Sequence, residues 1–271
     1  MISEGVVVVY LDDILIFTKD LDEHRRITQK VLGRLVEHEL YLWPEKCEFE
    51  KTRIKYLGLV ISENRVEMDP VKVAGVAEWP EPLNKREVQS FLGLVNFYQQ
   101  FIKDFSHHAR PLFDLTRKEQ KWNWDSSAAS AFRKLKELTS APVLVTPADD
   151  QPFWIEADSS EFATGVVLSQ LCTEDGKWHP VAFLSKSLSD TKRNYEIHDK
   201  EMLAIMRPLN KWQHFLEGAP HKVEIWTDHK NLEYFMSAKK LNRQQAQWSL
   251  TMARFDFVMH HLPGRSMGKS V

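Results

Sequence analysis

The chain has 271 residues, a mass of 31.7 kDa and a formal net charge of −2, and 43% of its residues are hydrophobic. This composition favours a globular protein with two packed domains and excludes a low-complexity chain. No apolar run is long enough to span a membrane and no secretory signal is evident, so the sequence predicts an intracellular protein, cytoplasmic or nuclear.

Charge and cysteine content give weaker indications. The near balance of acids and bases argues mildly against a nucleic-acid partner unless positive charge is concentrated locally. Lys239, Lys240, Arg243 and Arg254 form such a concentration, although alone it indicates a solvated helix face. Cys47 and Cys172 lack the paired spacing of a disulfide framework or zinc knuckle, so both are predicted to be buried thiols.

The first part of the chain predicts an α+β fold around two adjacent acids. Asp12 and Asp13 separate two apolar runs at residues 6–11 and 14–18, which read as antiparallel strands. Carboxylates in so apolar a setting are costly unless water or a divalent metal compensates them, so the pair indicates either a plain hairpin turn or a metal site. A helix at 21–39 and short strands follow, and the strands are expected at residues 40–43, 47–49, 54–61 and 65–68.

A helical region comes next. Asp69 followed by Pro70 predicts a helix start, and Asn84 with Glu87 resembles a capping box for a second helix. Further helical segments are predicted at 97–105 and 111–116, and Asp125 caps another helix. Residues 141–151, with prolines and acids, are the best candidate for a domain boundary.

The pattern beyond that boundary alternates strands and helices. A long helix is predicted at 195–216, with further helices near Leu232 and at 242–253. The predicted strands are residues 153–157, 165–170, 181–185, 223–227 and 255–261.

Three acids of this region are not explained by solvation alone. Asp158 and Asp228 each close a predicted strand, where ligand sites of such sheets tend to lie. Glu201 shares a helix face with apolar residues, so it is predicted to point inward; those residues are Ile197, Ala204, Ile205, Leu209, Trp212 and Phe215. Taken singly, the two aspartates could cap loops and Glu201 could pair with a buried arginine.

Taken together, the three carboxylates indicate a site for divalent cations if the two strand ends and the helix meet. Ligands that are all oxygen favour Mg²⁺ or Mn²⁺ over zinc. Two such ions would activate a water and stabilise the leaving oxygen of a phosphodiester.

Several motifs in this order carry a family resemblance. The chain resembles the reverse transcriptase and ribonuclease H portion of gypsy-type long-terminal-repeat retrotransposons in the runs YLDDILIF, YLGLVIS, EVQSFLGLVNFYQQFI, EADSSEFATGVVLSQ, NYEIHDKEMLAI and WTDHKNLEYF. The resemblance implies an α+β partial reverse-transcriptase palm at 1–68 with a helical thumb at 69–120. A tether at 121–150 and an α/β ribonuclease-H-like domain with a mixed sheet at 151–271 would follow.

The resemblance also implies roles for individual residues. Asp12 and Asp13 would be palm metal ligands for nucleotidyl transfer, and Lys46 would donate a proton near the leaving pyrophosphate. The primer grip would contain Tyr56, Leu57 and Gly58. The catalytic and metal-binding acids of ribonuclease H would include Asp158, Glu201 and Asp228. The implied cofactor is Mg²⁺, with Mn²⁺ as an alternative, and the implied partner is an RNA·DNA hybrid or a primer–template duplex.

The sequence departs from the family pattern in three ways. A further palm Asp and the fingers precede YLDD in the family, and a fourth ribonuclease H acid follows the position of HLPGRSMGKSV. Polymerisation by this chain alone is therefore not expected; it would require a longer parent that supplies those segments. The third departure is Pro208 within the helix of Glu201, which removes a hydrogen bond to Ala204 and costs on the order of 3 kcal/mol unless a kink absorbs it.

Two other interpretations remain open on the sequence. The chain could be a catalytically inactive remnant that at most binds nucleic-acid duplexes through their phosphates. It could also be a truncated reading frame with no selected function.

Overall fold

The structure is a computed structural model that describes residues 6–139, 143–228 and 242–261. The chain divides into two compact units, Met1–Glu63 and Asn64–Val271. Within the described ranges, the helices are all too short or too polar to cross a lipid bilayer.

The first unit begins with the predicted hairpin. Strands β1 (Val7–Tyr10) and β2 (Asp13–Ile16) pair antiparallel, and the last pair of the ladder joins Tyr10 to Asp13. Helix α1 (Leu21–Glu37) follows; it starts where the side chain of Asp20 accepts a 2.8 Å hydrogen bond from the Glu23 N–H. The predicted hairpin and helix are both confirmed.

In the rest of this unit, the predicted strands at 40–43, 47–49 and 54–61 differ from the structure. The single strand predicted at 54–61 is two strands, β3 (Arg53–Tyr56) and β4 (Leu59–Ser62), paired in a hairpin. Leu57 and Gly58 both have positive φ, 48° and 77°, which is the backbone that a tight two-residue hairpin turn requires.

The strands predicted at 40–43 and 47–49 are absent. A short 3₁₀ helix, Pro44–Lys46, lies between two stretches without regular structure. Tyr41 is 92% exposed and Trp43 72% exposed, so burial does not stabilise a strand here, and Pro44 has no N–H to donate to a ladder.

A helical bundle opens the second unit, after a short antiparallel pairing of β5 (Arg65–Met68) with β6 (Leu144–Val145). The predicted caps are confirmed, since Asp69, Asn84 and Asp125 each accept a hydrogen bond from a first-turn N–H of their helix. The bundle contains α2 (Pro70–Ala77), α3 (Lys85–Phe97), a 3₁₀ turn (Gln99–Phe101), α4 (Phe105–Thr116) and α5 (Ser126–Leu138).

The predicted apolar face of α3 forms the centre of this bundle. Its buried residues pack with α4 and α5, and the ring centroids of Phe91 and Phe132 are 4.5 Å apart. The α3 residues buried there are Val88, Phe91, Leu92 and Val95. The sequence period of three and four therefore identified the core correctly.

A five-stranded mixed sheet forms the rest of this unit. Its order is β11-β10-β7-β8-β9, in which β11, β10 and β7 are parallel neighbours and β7, β8 and β9 are antiparallel. The strands are β7 (Phe153–Ser159), β8 (Ala163–Leu171), β9 (Trp178–Ser187), β10 (Val223–Thr227) and β11 (Phe257–His261). This is the predicted fold class: an α+β first part with helices, followed by helices on a mixed sheet.

Further helices of the second unit lie between these strands in the sequence, and the longest of them covers the sheet. They are α6 (Asp190–Arg193), α7 (Ile197–Lys211), α8 (Gln213–Leu216) and α9 (Arg243–Met252). Fully buried Met202, Ile205 and Leu209 of α7 belong to one core with Ile155 of β7 and Ile225 of β10. Burying each such side chain stabilises the fold by about 1.5–3 kcal/mol.

The helix predicted at 195–216 is not continuous. It stops at Lys211 and resumes at Gln213, and the N–H of Trp212 closes the last turn on the Pro208 carbonyl at 2.8 Å. Pro208 is buried within α7, one turn before its end, so the chain tolerates this residue by ending the helix shortly after it. The helix predicted near Leu232 lies outside the described residues.

A direct hydrogen bond joins the helical bundle to the sheet. The N–H of Ser106 in α4 donates a buried 2.9 Å bond to Oγ of Ser185 in β9. The guanidinium of Arg110 in the same helix lies 3.4 Å from the ring centroid of Phe162, which precedes β8. The two parts of this unit therefore share a specific interface.

Candidate functional site

The first predicted site is the turn between β1 and β2. Leu11 adopts a left-handed φ of 51° and Asp12 follows it, so the strands reverse direction within these two residues. Asp13 is the first residue of β2, opposite Tyr10. Both carboxylates are exposed, which makes them accessible to water or a cation.

Within the same unit, Tyr56 is close enough to Asp13 to be affected by its charge. Burial, and then the negative charge of Asp13, raise the pKa of the Tyr56 phenol above its usual value. Its hydroxyl oxygen is buried and has no hydrogen-bond partner among the residues that the structure describes. The predicted primer-grip residue and the predicted metal ligand therefore lie near one another.

The other predicted residues of this unit lie in the β3–β4 turn and in the short 3₁₀ helix. Leu57 and Gly58 form the β3–β4 turn, next to Tyr56. Lys46 ends the 3₁₀ helix and is exposed to solvent.

Asp158 and Asp228 stand at the same level of two neighbouring parallel strands. The β7–β10 ladder pairs Trp154 with Glu224 and continues in step to Glu156 and Trp226. The same register, extended by two residues, sets Asp158 opposite Asp228. Because adjacent strands are about 4.8 Å apart, the register brings the two acids to one edge of the sheet.

Glu201 reaches the same strand end from the helix that covers the sheet. It is 4% exposed, so the inward orientation predicted from the helical period is confirmed. Its Oε1 accepts a 3.0 Å hydrogen bond from Oγ of Ser159, the residue after Asp158. The structure therefore brings Glu201 to the end of β7 on the face that α7 covers. By the alternation of side chains along a strand, Asp158 lies on the other face, with Trp154 and Glu156, so the structure aligns the two aspartates with each other but does not bring Glu201 to their face.

The donor set at this edge fits a hard divalent cation. The three candidate ligands are carboxylates, and carboxylate oxygens are the ligands that Mg²⁺ and Mn²⁺ prefer. Of the three acids, Glu201 is buried and accepts the hydrogen bond of Ser159, whereas Asp158 is exposed.

Sequence reasoning missed Ser159 and Arg207. Arg207 in α7 donates from Nη1 to Oγ1 of Thr164 and, at 2.7 Å, to the carbonyl of Lys186. Its Nη2 donates to the carbonyl of Ser187 at 3.2 Å, so one guanidinium holds α7 to both β8 and β9. The sequence did contain a signal for Arg207, because an arginine among apolar residues of a helix is expected to have specific hydrogen-bond partners.

Positive charge collects beside that arginine. Burial, and then the charges of Arg207 and Lys186, lower the pKa of the Lys192 ammonium. Lys192 lies in α6, a few residues before the helix that carries Glu201. These three cations, Arg207, Lys186 and Lys192, form a patch of positive charge.

Comparison with family models divides the chain in two. Residues 2–61 match the model of reverse transcriptase (RNA-dependent DNA polymerase), and residues 148–255 match the model of the RNase H-like domain found in reverse transcriptase. The first match contains Asp12 and Asp13, and the second contains Asp158, Glu201 and Asp228.

Curated relatives match almost the whole chain. The Transposon Tf2-3 polyprotein of Schizosaccharomyces pombe is 36% identical over 265 residues, which is 97% of this chain and 20% of the relative. The Transposon Tf2-7 polyprotein of the same organism is 35% identical over 266 residues, with the same coverage. The chain thus spans about a fifth of the length of these relatives.

Solved structures show the same fold at lower identity. The foamy viral protease-reverse transcriptase in complex with an RNA/DNA hybrid has a TM-score of 0.76 and 22% identity, over 95% of this chain and 36% of that one. A second foamy viral structure, in complex with double-stranded DNA, has a TM-score of 0.75 and 20% identity, over 94% of this chain and 46% of that one.

Proposed function

Because the chain belongs to the reverse transcriptase/ribonuclease H family of gypsy-type long-terminal-repeat retrotransposon polyproteins, we propose that residues 151–271 hydrolyse the RNA strand of RNA·DNA hybrids. The observation that carries this proposal is the β7–β10 register, which aligns Asp158 with Asp228 at the strand end where Ser159 holds Glu201.

The cofactor under this proposal is Mg²⁺, and Mn²⁺ would serve as a substitute. Asp158, Glu201 and Asp228 would hold the ions. Two bound ions would activate a water and stabilise the leaving oxygen of the phosphodiester.

The chain's own residues would orient the metal ligand Glu201 and bind the phosphates of the duplex. Ser159 fixes the rotamer of Glu201 through its hydroxyl, and the core around α7 excludes water from one side of that carboxylate. Lys186 and Lys192 would attract the phosphates of the duplex, because an anion relieves the repulsion among the neighbouring cations. These contacts carry no sequence information, so the site would accept hybrids of any sequence.

The first part of the chain would serve polymerisation within a longer protein. We assign residues 1–68 to part of the palm, 69–120 to the thumb and 121–150 to the tether. Asp12 and Asp13 would be metal ligands for nucleotidyl transfer, and Lys46 would donate a proton to the leaving group. Tyr56, with Leu57 and Gly58, would contact the primer, and its proximity to Asp13 supports a role beside that metal site.

A cleavage assay tests the proposal. The purified chain is incubated with an RNA·DNA hybrid labelled on the RNA strand and with Mg²⁺, alongside the variants Asp158→Asn and Asp228→Asn. Asp149→Asn is the matched control, since Asp149 is an exposed acid a few residues before β7. We expect Mg²⁺-dependent cleavage by the unaltered chain and the control, and a loss of at least a hundredfold in both site variants.

Two outcomes would contradict the proposal. Equal cleavage by the unaltered chain and Asp158→Asn would identify a contaminating nuclease. Salt-dependent binding of the hybrid without any cleavage would instead identify an inactive remnant that binds duplexes through their phosphates.

A further inference from the structure

A second group of metal-ligand side chains lies at the other end of the sheet, where the turn between β8 and β9 meets the start of β9. The Sγ of Cys172, a carboxylate oxygen of Asp175 and a ring nitrogen of His179 all lie within 4.8 Å of one another. Cys172 and His179 are half-buried and Asp175 is exposed, so the group is accessible from solvent. Cys172 is thus not the isolated buried thiol that the sequence predicted.

The backbone of the turn is closed by hydrogen bonds between its two sides. The N–H of Cys172 donates to the carbonyl of Lys177 at 2.8 Å, and the N–H of Gly176 donates to the carbonyl of Cys172 at 2.9 Å. Gly176 has a φ of +67°, a left-handed conformation that glycine adopts without strain. The three side chains are therefore held together by the turn rather than by a chance approach of distant segments.

The acid of the group is kept in its charged form. Asp175 accepts a 3.0 Å hydrogen bond from the N–H of Lys177 and lies 2.8 Å from Nε2 of His179. The Lys177 N–H, followed by the His179 ring, holds the pKa of the Asp175 carboxyl below its usual range. A carboxylate and an imidazole in contact beside a thiol provide three different donor atoms at one point.

We propose that Cys172, Asp175 and His179 bind a thiophilic divalent cation, with Zn²⁺ as the expected ion. Sulfur, nitrogen and oxygen donors together select zinc over Mg²⁺, because Mg²⁺ takes oxygen ligands almost exclusively. Three protein ligands leave a fourth tetrahedral position for water. On binding, the thiol S–H of Cys172 breaks and its proton leaves to solvent, while the sulfur electron pair forms the bond to the metal.

This site is distinct from the carboxylate site. Along β8, Gly165 pairs with Asp158 at one end, whereas Cys172 follows the opposite end of the strand. At about 3.3 Å per residue the two sites are roughly 23 Å apart. The proposal therefore does not depend on ribonuclease H activity, and a bound ion would clip the β8–β9 hairpin.

The test is a zinc titration of the full chain in excess Mg²⁺, which saturates oxygen-only sites. Zinc binding is measured by competition with a chromophoric chelator, and Co²⁺ is used separately for its thiolate-to-metal absorption band. Cys47→Ser is the matched control, since Cys47 is the other free cysteine and is also half-buried. We expect one equivalent of Zn²⁺ in the unaltered chain and in Cys47→Ser, and at least a tenfold weaker affinity in Cys172→Ser and His179→Gln.

The absorption band distinguishes this site from other ones. It should appear with Co²⁺ in the control and be absent in Cys172→Ser. Asp175→Asn alters only an exposed side chain and should also weaken zinc binding, which guards against a folding defect in the other variants. The proposal is overturned if the unaltered chain binds no zinc stoichiometrically, or if Cys172→Ser binds it with unchanged affinity.

Discussion

The hydroxyl of Ser159 donates a 3.0 Å hydrogen bond to Oε1 of Glu201. This bond connects the end of β7, one residue after Asp158, to a buried carboxylate on α7. The orientation of Glu201 therefore depends in part on a neutral side chain of β7.

Replacing Ser159 with alanine tests that dependence. A carboxylate that loses its orienting partner binds metal less well, and such changes typically cost 10–100-fold in affinity or activity. We expect Ser159→Ala to raise the Mg²⁺ concentration needed for half-maximal cleavage by about tenfold or more. Ser127→Ala, an exposed serine in α5, should leave that midpoint unchanged; equal midpoints in the two variants would exclude an orienting role.

Binding of Mg²⁺ at the carboxylate edge should be visible as stabilisation. A ligand at a hundred times its dissociation constant stabilises the folded state by about 2.7 kcal/mol, which raises the melting temperature. We expect Mg²⁺ to raise the melting temperature of the unaltered chain, and to do so much less in Asp228→Asn. The measurement is differential scanning calorimetry with and without Mg²⁺, and an undiminished shift in the variant would contradict a metal site at Asp228.

Arg207 should contribute to stability through its hydrogen bonds to β8 and β9. Its guanidinium serves Thr164 and the carbonyls of Lys186 and Ser187, and hydrogen bonds to a charged group contribute about 1.5–3 kcal/mol. We expect Arg207→Ala to lower the free energy of unfolding in urea by about 2 kcal/mol. Arg207→Lys keeps the charge but loses the planar fork, so it should recover only part of that loss.

An exposed arginine provides the control for this measurement. Arg86 lies in the first turn of α3 with its side chain in solvent, and Arg86→Ala should change the unfolding free energy by less than about 0.5 kcal/mol. A similar small effect for Arg207→Ala would show that its hydrogen bonds are replaced by water at no cost.

Lys192 should contact phosphate if the cationic patch binds a duplex. Each neutralised phosphate contributes about −0.9 to the slope of log K against log salt. We expect Lys192→Ala to weaken hybrid binding uniformly across sequences and to make that slope shallower by about one. The control is Lys134→Ala, because Lys134 pairs with Glu137 on the exposed side of α5. If the salt slope of Lys192→Ala equals that of the unaltered chain, Lys192 does not contact phosphate and the patch is not part of the binding surface.

His108 should make the helical bundle less stable in mild acid. Burial, and then the charges of His107 and Lys134, lower the pKa of the His108 imidazole, while Asp104 opposes this effect. The unfolded chain therefore binds the proton more readily than the folded chain does. Stability is fully present above the unfolded value of about 6.5 and falls as the pH decreases from there toward the lowered folded pKa.

The measurement is urea unfolding at several pH values between neutrality and mild acid. We expect His108→Gln to flatten the decline, whereas His214→Gln, an exposed histidine after Trp212, should not. If the free energy of unfolding declines equally steeply with falling pH in both variants, groups other than His108 cause the decline.

Much of the local structure follows from neighbouring residues alone. Asp69 with Pro70, Asn84 and Asp125 fix helix starts because a side-chain oxygen three or fewer residues away satisfies an orphan N–H. The inward orientation of Glu201 follows from the helical period in the same way. The sequence errors lie where the local signal competes with something else, as at Leu57 and Gly58, where an apolar run contains a turn.

The sequence by itself thus determined the family, the helix starts and the order of most elements, and it supplied the three acids as candidates. Only the tertiary structure decided that Asp158 lies level with Asp228, because strand register is set by packing across a sheet and not by either strand alone. It also decided that Ser159 holds Glu201, and that Cys172, Asp175 and His179 converge in one turn. Contacts of this kind depend on the relative placement of separate elements, which composition and periodicity do not specify.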